Sequence, residues 1–153
     1  MKPIRLCIFL LCFALFCLSC LRARPVYIDE DKKTAEAAVK VFIDRYNSQE
    51  NEVIYDDASD VFKNANRKEN VLPVMKATYD QNGKILEVTD KLIKVVPGAS
   101  IQVRTIYNVK CEKGERSFWL IYITGIDGMA KLAQVQPFAS YTDLSQYKSD
   151  DMK

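Results

Sequence analysis

The sequence predicts an α+β domain: three N-terminal helices, then a strongly curved antiparallel sheet of about four strands wrapped on the first helix. Two observations carry this. Over 32–47, Ala35, Ala38, Val39, Phe42, Ile43 and Tyr46 fall at offsets 0, 3, 4, 7, 8 and 11, the stripe of an amphipathic helix. From Lys84 the period changes to two, and 101–135 divides into three runs, 101–111, 117–124 and 129–135. Their short connections contain Gly114 in one case and Gly125 and Gly128 in the other, which reads as a strand meander. Helices first and strands afterwards is an α+β order, and 153 residues with 48% hydrophobic content fit one domain.

The chain opens on a leader. Lys2 and Arg5 precede an uncharged run over 6–18, the plan of a secretory signal peptide over 1–20. Arg22 and Arg24 close the run before the roughly 20 residues a membrane span needs. Leu18-Ser19-Cys20 resembles the bacterial lipobox, although Cys17 stands where that signal usually has leucine. The resemblance implies lipidation of Cys20, and hence a membrane anchor on the periplasmic side of a bacterial cell envelope. Leu21 after the cysteine favours the outer membrane by the same resemblance. Acyl chains add about 0.8 kcal/mol of membrane affinity per buried methylene. The alternative is an ordinary signal cleaved near Ser19 or Ala23 and a secreted protein. Four of the five cysteines lie in or at the end of the leader, leaving Cys111. A disulfide scaffold is therefore excluded. Cys111 is expected as a small buried hydrophobe, with a Cys20–Cys111 bridge conceivable only without lipidation.

A tether over 21–31 comes next, ending in Asp29-Glu30-Asp31, acids that also suit a helix start. The first helix covers 32–47. A second spans 52–58, anchored by Val53, Ile54 and Tyr55, and 59–63 continues as a turn or another helical stretch. Asn66 and Glu69 resemble a capping box for a third helix that ends near 81 and buries Val71, Leu72, Met75 and Tyr79. Pro73 inside it implies either a later start or a broken first turn. Asn82-Gly83 is a stop signal. Strand 85–96 leads through Pro97-Gly98 into 101–111, where Ile101, Val103, Thr105, Tyr107, Val109 and Cys111 share a face. Segment 117–124 is apolar on both faces, with Phe118, Leu120 and Tyr122 opposite Trp119, Ile121 and Ile123. Such a strand is covered on both sides, or uses one face in an interface. The folded domain is drawn at 32–138, with a polar, frayed or irregular tail over 139–153.

Composition excludes several functions. Without Lys2 and Arg5 the chain carries 20 basic and 20 acidic residues. It has no basic block, and no nucleic-acid partner is expected. The absence of histidine removes the commonest general base, the usual nucleophilic triads and most zinc sites. No phosphate-binding glycine loop or metal-ligand cluster is present, and no cofactor is expected. Asp56, Asp57 and Asp60 read as a solvated face. Tyr55, Tyr79, Tyr107, Trp119 and Tyr122 are candidate lining of an apolar pocket, or simply core and sheet surface.

The residues 37–44, Tyr55-Asp56-Asp57-Ala58 with Phe62-Lys63, Gly83-Lys84 and the strand block together resemble the nuclear transport factor two-like superfamily, over about 34–135. The likeness is to its small exported bacterial members. It implies a cone enclosed by the sheet and the long helix, often open as a pocket, and a sheet face through which some members dimerise. Members include ketosteroid isomerase and scytalone dehydratase, so fold leaves function open. The histidine-dependent dehydratase chemistry is disfavoured here. The resulting expectation is a non-catalytic cell-envelope domain that binds a protein partner or a small apolar ligand, with homodimerisation through the sheet. The alternative is a small hydro-lyase or isomerase with a carboxylate base and tyrosine donors.

Overall fold

The computed structural model describes residues 26–148, and only the backbone at 137–139, 146 and 148. The leader and Cys20 lie outside the described residues. Among the described residues four helices precede the sheet, the three expected and the further helical stretch that was one alternative for 59–63: α1 (Ile28–Asn47), α2 (Asn51–Asp57), α3 (Asp60–Ala65) and α4 (Lys68–Asn82). They are followed by β1 (Ile85–Val96), β2 (Ile101–Cys111), β3 (Gly114–Thr124), β4 (Ala130–Ala139) and a final helical turn, α5 (Ser145–Lys148).

Helix α1 starts four residues before the predicted 32, so part of the expected tether is its first turn. Asp29, Glu30 and Asp31 stand there, where the helix dipole favours negative charge. Asp31 is buried and accepts the Tyr27 N–H at 3.2 Å. The extra helix is α3, where a turn was the alternative expectation. Ser59 caps it, its Oγ accepting the Phe62 N–H at 3.3 Å, and the same hydroxyl donates to the Leu132 carbonyl at 2.9 Å. This pins α3 to β4. In α2, Ile54 is buried and Tyr55 half-buried, but Val53 is exposed, contrary to its expected role as an anchor.

Two expectations for α4 need correction. There is no capping box: Arg67 holds the N-cap without a side-chain bond, and Asn66 turns back to donate to Phe62 O at 2.9 Å. Pro73 neither delays nor breaks the helix but lies inside it, five residues after Lys68. Of the predicted buried set only Met75 is buried; Val71, Leu72 and Tyr79 are half-buried, because α4 packs chiefly on α2. Gly83 ends the helix at φ 71°. A Cβ there would lie 2.8 Å from Glu112 Cβ, with Glu112 Oε2 nearer still.

The sheet is a four-stranded antiparallel meander in the order β1-β2-β3-β4. Bulges interrupt β1 between Ile85 and Glu87 and between Val88 and Asp90. Helix α1 touches all four strands and buries Ala35, Val39, Phe42 and Tyr46 against one sheet face. The opposing residues are Val103, Tyr107, Val109, Cys111, Phe118, Leu120 and Tyr122, the faces read from the alternation. Aromatic rings fill the middle: Phe118 stacks on Phe42 (6.1 Å) and Tyr107 (5.5 Å), and Tyr46 meets Tyr79 at 5.4 Å. Asn47 ties α1 to the sheet by donating to Ile85 O at 2.9 Å and accepting Ile85 N–H at 2.8 Å.

Of the two expectations for the tail, frayed or an irregular extension, the described residues 140–148 follow the second, and 149–153 lie outside the described residues. Strand β4 runs to Ala139, and Leu144 beyond it is 2% exposed. The chain turns back across the sheet face opposite α1, where Tyr147 meets Trp119 edge-on at 6.0 Å. A polar segment folds here because its backbone, not its composition, satisfies buried polar groups of the sheet.

Candidate functional site

The helix stripe and the strand alternation place α1 over the sheet, and a gap remains where α1, α2 and the β3–β4 end diverge. Small side chains open it: Ala38 on α1 and Ala58 after α2 contribute little volume. The cleft measures about 450 Å³ and is lined by Val41, Phe42, Ile54, Tyr122, Met129 and Leu132 among others. Lys131, Arg45, Asp56 and Asp57 also line it.

Tyr122 is the unusual member. It is 2% exposed, and its hydroxyl makes no hydrogen bond. Leaving a buried hydroxyl unpaired costs on the order of 1–3 kcal/mol. Burial pushes its pKa far above the ordinary tyrosine value, and the nearby Tyr107 adds to the effect. Tyr122 is therefore a neutral phenol in the wall of a cleft whose other lining is part apolar and part charged. Three of the four charged lining residues are paired. Arg45 pairs with Asp57 at 2.7 Å, and Lys68 pairs with Asp56 at 3.0 Å and Glu52 at 3.4 Å. The Asp56 hydrogen bond leads the effects that raise the Lys68 pKa. Asp56 and Asp57 have side chains 59% and 61% exposed, so neither is a desolvated base.

The five aromatic residues picked out in the sequence do not converge. Tyr122 alone lines this cleft. Tyr107 stacks in the core and reaches a shallow groove on the other flank of α1, beside the Glu36–Lys91 pair (2.7 Å). Tyr55 packs its ring on Phe62 at 6.0 Å and donates to Asn66 O at 2.8 Å. Tyr79 packs on Tyr46. Trp119 lies on the face opposite Tyr122, in a separate groove of about 300 Å³ with Leu92, Ile106 and Ile121. Sequence reading missed Val41, Arg45, Met129 and Leu132. The available signal was Ala38, small on an otherwise bulky stripe. Cys111 is free and buried, as expected, and burial raises its thiol pKa.

Among the described residues no group of three His, Cys, Asp or Glu could hold a metal, and no helix is long and apolar enough to cross a membrane. No protein-family model and no curated protein matches the chain.

Proposed function

We propose that this is an exported, non-catalytic binding domain with the cone-shaped fold of the nuclear transport factor two-like proteins, held at the cell envelope by a lipid on Cys20. Its cleft takes a small apolar ligand carrying one hydrogen-bonding atom. The observation that carries this reading is Tyr122, which lines a cleft of apolar and paired charged residues while its own hydroxyl is buried and unbonded. A ligand atom that bonds it relieves a cost the free protein bears. A catalytic reading has less support, because the two lining carboxylates are exposed and paired with cations, whereas a general base near neutral pH needs a desolvated carboxyl.

The test uses 2-naphthol and naphthalene, which differ by one hydroxyl, with binding followed by calorimetry. Saturable binding of 2-naphthol is expected, several-fold tighter than naphthalene. One hydrogen bond is worth about 0.5–1.5 kcal/mol, or roughly 2–10-fold. Tyr122→Phe should erase the preference, and Ala38→Leu should block both ligands. Binding that survives Ala38→Leu unchanged would sink the assignment of the cleft. Anchoring is checked separately: wild-type chain should incorporate labelled palmitate and fractionate with membranes, and Cys20→Ala should do neither.

A further inference from the structure

The two ends of the sheet differ in character. The register pairs Val96 with Gln102, Ile101 with Thr124 and Thr124 with Ala130, so the turns 97–100 and 125–129 stand at one end. The first, Pro97-Gly98-Ala99-Ser100, is exposed and carries no charge. The second displays Ile126 at 81% exposure and Met129 at 54%. At the other end the β2–β3 hairpin carries Glu112, Lys113, Glu115 and Arg116, an ordinary solvated turn.

Helix α1 starts at the uncharged end. Asn47, its last residue, bonds Ile85 at the beginning of β1, and Glu36 pairs with Lys91 further along that strand. Going back along α1 therefore moves toward Val96 and the two turns. Val26, Tyr27 and Ile28 stand there, all exposed. With Ile126 and Met129 they give this end an apolar surface from two segments far apart in sequence.

Turn chemistry does not call for Ile126. Gly125, Asp127 and Gly128 supply it, with Gly128 at φ 76°. Gly128 N–H donates to Gly125 O at 3.0 Å and Gly125 N–H to Met129 O at 3.1 Å. Met129 N–H donates to the Asp127 carboxylate at 3.0 Å. These amides stay bonded when water is removed, which is what a turn needs in order to enter an apolar boundary.

We propose that this end is a membrane-contact surface, with Ile126, Met129, Val26, Tyr27 and Ile28 seated in the headgroup boundary of a bilayer. The contact rests on the lipid at Cys20 proposed above and adds the surface that meets the membrane. Cys20 precedes Val26 by six residues, a reach of at most about 22 Å. An anchored chain therefore brings the apolar end to the bilayer and keeps the charged end away. Charges adjoining these side chains in sequence are of both signs, Asp29, Glu30 and Asp127 against Lys32 and Lys131. The contact is carried by apolar burial and not by attraction to anionic lipid. Among the described residues no helix is long and apolar enough to cross a membrane, so these side chains lie in the boundary rather than span it. Met129 also lines the cleft, which sets the ligand site beside the bilayer.

The test adds an indole at either end of the full chain, by Ile126→Trp or by Glu115→Trp, with Trp119 common to both. Both positions are exposed, so neither change disturbs the core. The chains are reconstituted with phosphatidylcholine vesicles, with and without brominated acyl chains. For Ile126→Trp the emission added to that of wild type should be blue-shifted and quenched at least about twofold by bromine, because the side chain reaches the acyl boundary. For Glu115→Trp it should be unchanged. Added salt should leave the quenching in place. Met129→Trp and Lys113→Trp repeat the comparison if either first variant fails to fold. Equal quenching at both ends, no quenching at the apolar end, or quenching lost in salt overturns the proposal. The anchor is read separately by labelled palmitate. If wild type incorporates none, the anchor fails, and the same contrast with excess vesicles still decides the contact: quenching confined to the apolar end sustains it, and any other pattern overturns it.

Discussion

At the scale of single residues, Tyr122 and Gly83 carry opposite kinds of strain. The Tyr122 hydroxyl is buried without a bond, so removing it should cost nothing in the free protein. Tyr122→Phe is expected to raise stability by up to about 1 kcal/mol, read as a higher urea midpoint with an unchanged slope. A loss of that size would mean that the hydroxyl has a partner. Gly83 sits at φ 71° and ψ −162°, a region nearly reserved for glycine. Glu112 occupies the space a Cβ would need while its Oε2 accepts the Lys84 N–H at 3.0 Å. Gly83→Ala should therefore lose about 2–4 kcal/mol in the same measurement, combining backbone strain with displacement of that carboxylate. Both positions bear on legibility. Gly83 was readable as a helix stop from Asn82-Gly83 alone. The alternation placed Tyr122 opposite Trp119 correctly, but the unpaired state of its hydroxyl depends on neighbours supplied by α1 and β4, which no local pattern names.

Among the elements, those set by their own period were the legible ones. The stripe from Ala35 to Tyr46 and the alternation in β2 and β3 reflect burial on one face, which sequence records residue by residue. What escaped was decided by contacts across long separations. Ser59 fixes α3 through Leu132, 73 residues away, and Thr142 answers Asn108 from 34 away. The cleft needs three segments at once, so its lining was only partly visible. Two predictions belong at this scale. Asn47 exchanges two hydrogen bonds with the Ile85 backbone, and Asn47→Ala strands both β1 groups. The expected loss is about 1–3 kcal/mol, with hydrogen exchange accelerated at Ile85 before the rest of the sheet. Pro73 is exposed on α4 and leaves the Glu69 carbonyl without an intrahelical donor. Pro73→Ala should gain roughly 1–2 kcal/mol, the interior penalty of about 3 kcal/mol less the added freedom of the unfolded chain. A loss would show that the proline ring itself contributes to the packing of α4.

Considered as a whole, the molecule keeps the hydroxyls of Tyr46, Tyr107 and Tyr122 and the Cys111 thiol in the interior, so its stability should depend on alkaline pH. Burial raises the pKa values of Tyr46, Tyr107 and Tyr122 above the ordinary tyrosine value. It raises that of Cys111 as well. Each group is neutral when protonated, and the folded state resists its ionisation. Below the unfolded-state pKa, near 8.5 for the thiol and 10 for the phenols, both states hold the proton and stability is independent of these groups. Above it the unfolded chain releases protons that the folded chain retains, so unfolding is favoured progressively until the folded pKa is reached. The urea midpoint should be level to about pH 8.5, decline gently as the thiol ionises in the unfolded chain, and fall steeply above pH 10. The limiting slope is about 1.4 kcal/mol per pH unit for each retained phenol. Absorbance near 295 nm supplies the independent check. Of the eight tyrosines, these three should ionise only with unfolding, as a step coincident with the loss of near-ultraviolet dichroism. Tyr122→Phe should shallow the fall above pH 10 and leave the portion between 8.5 and 10 in place, whereas Cys111→Ala should do the reverse. A midpoint that stays level through pH 11 would mean that solvent reaches these hydroxyls, and the aromatic core around Phe118 would then be packed differently from the arrangement described.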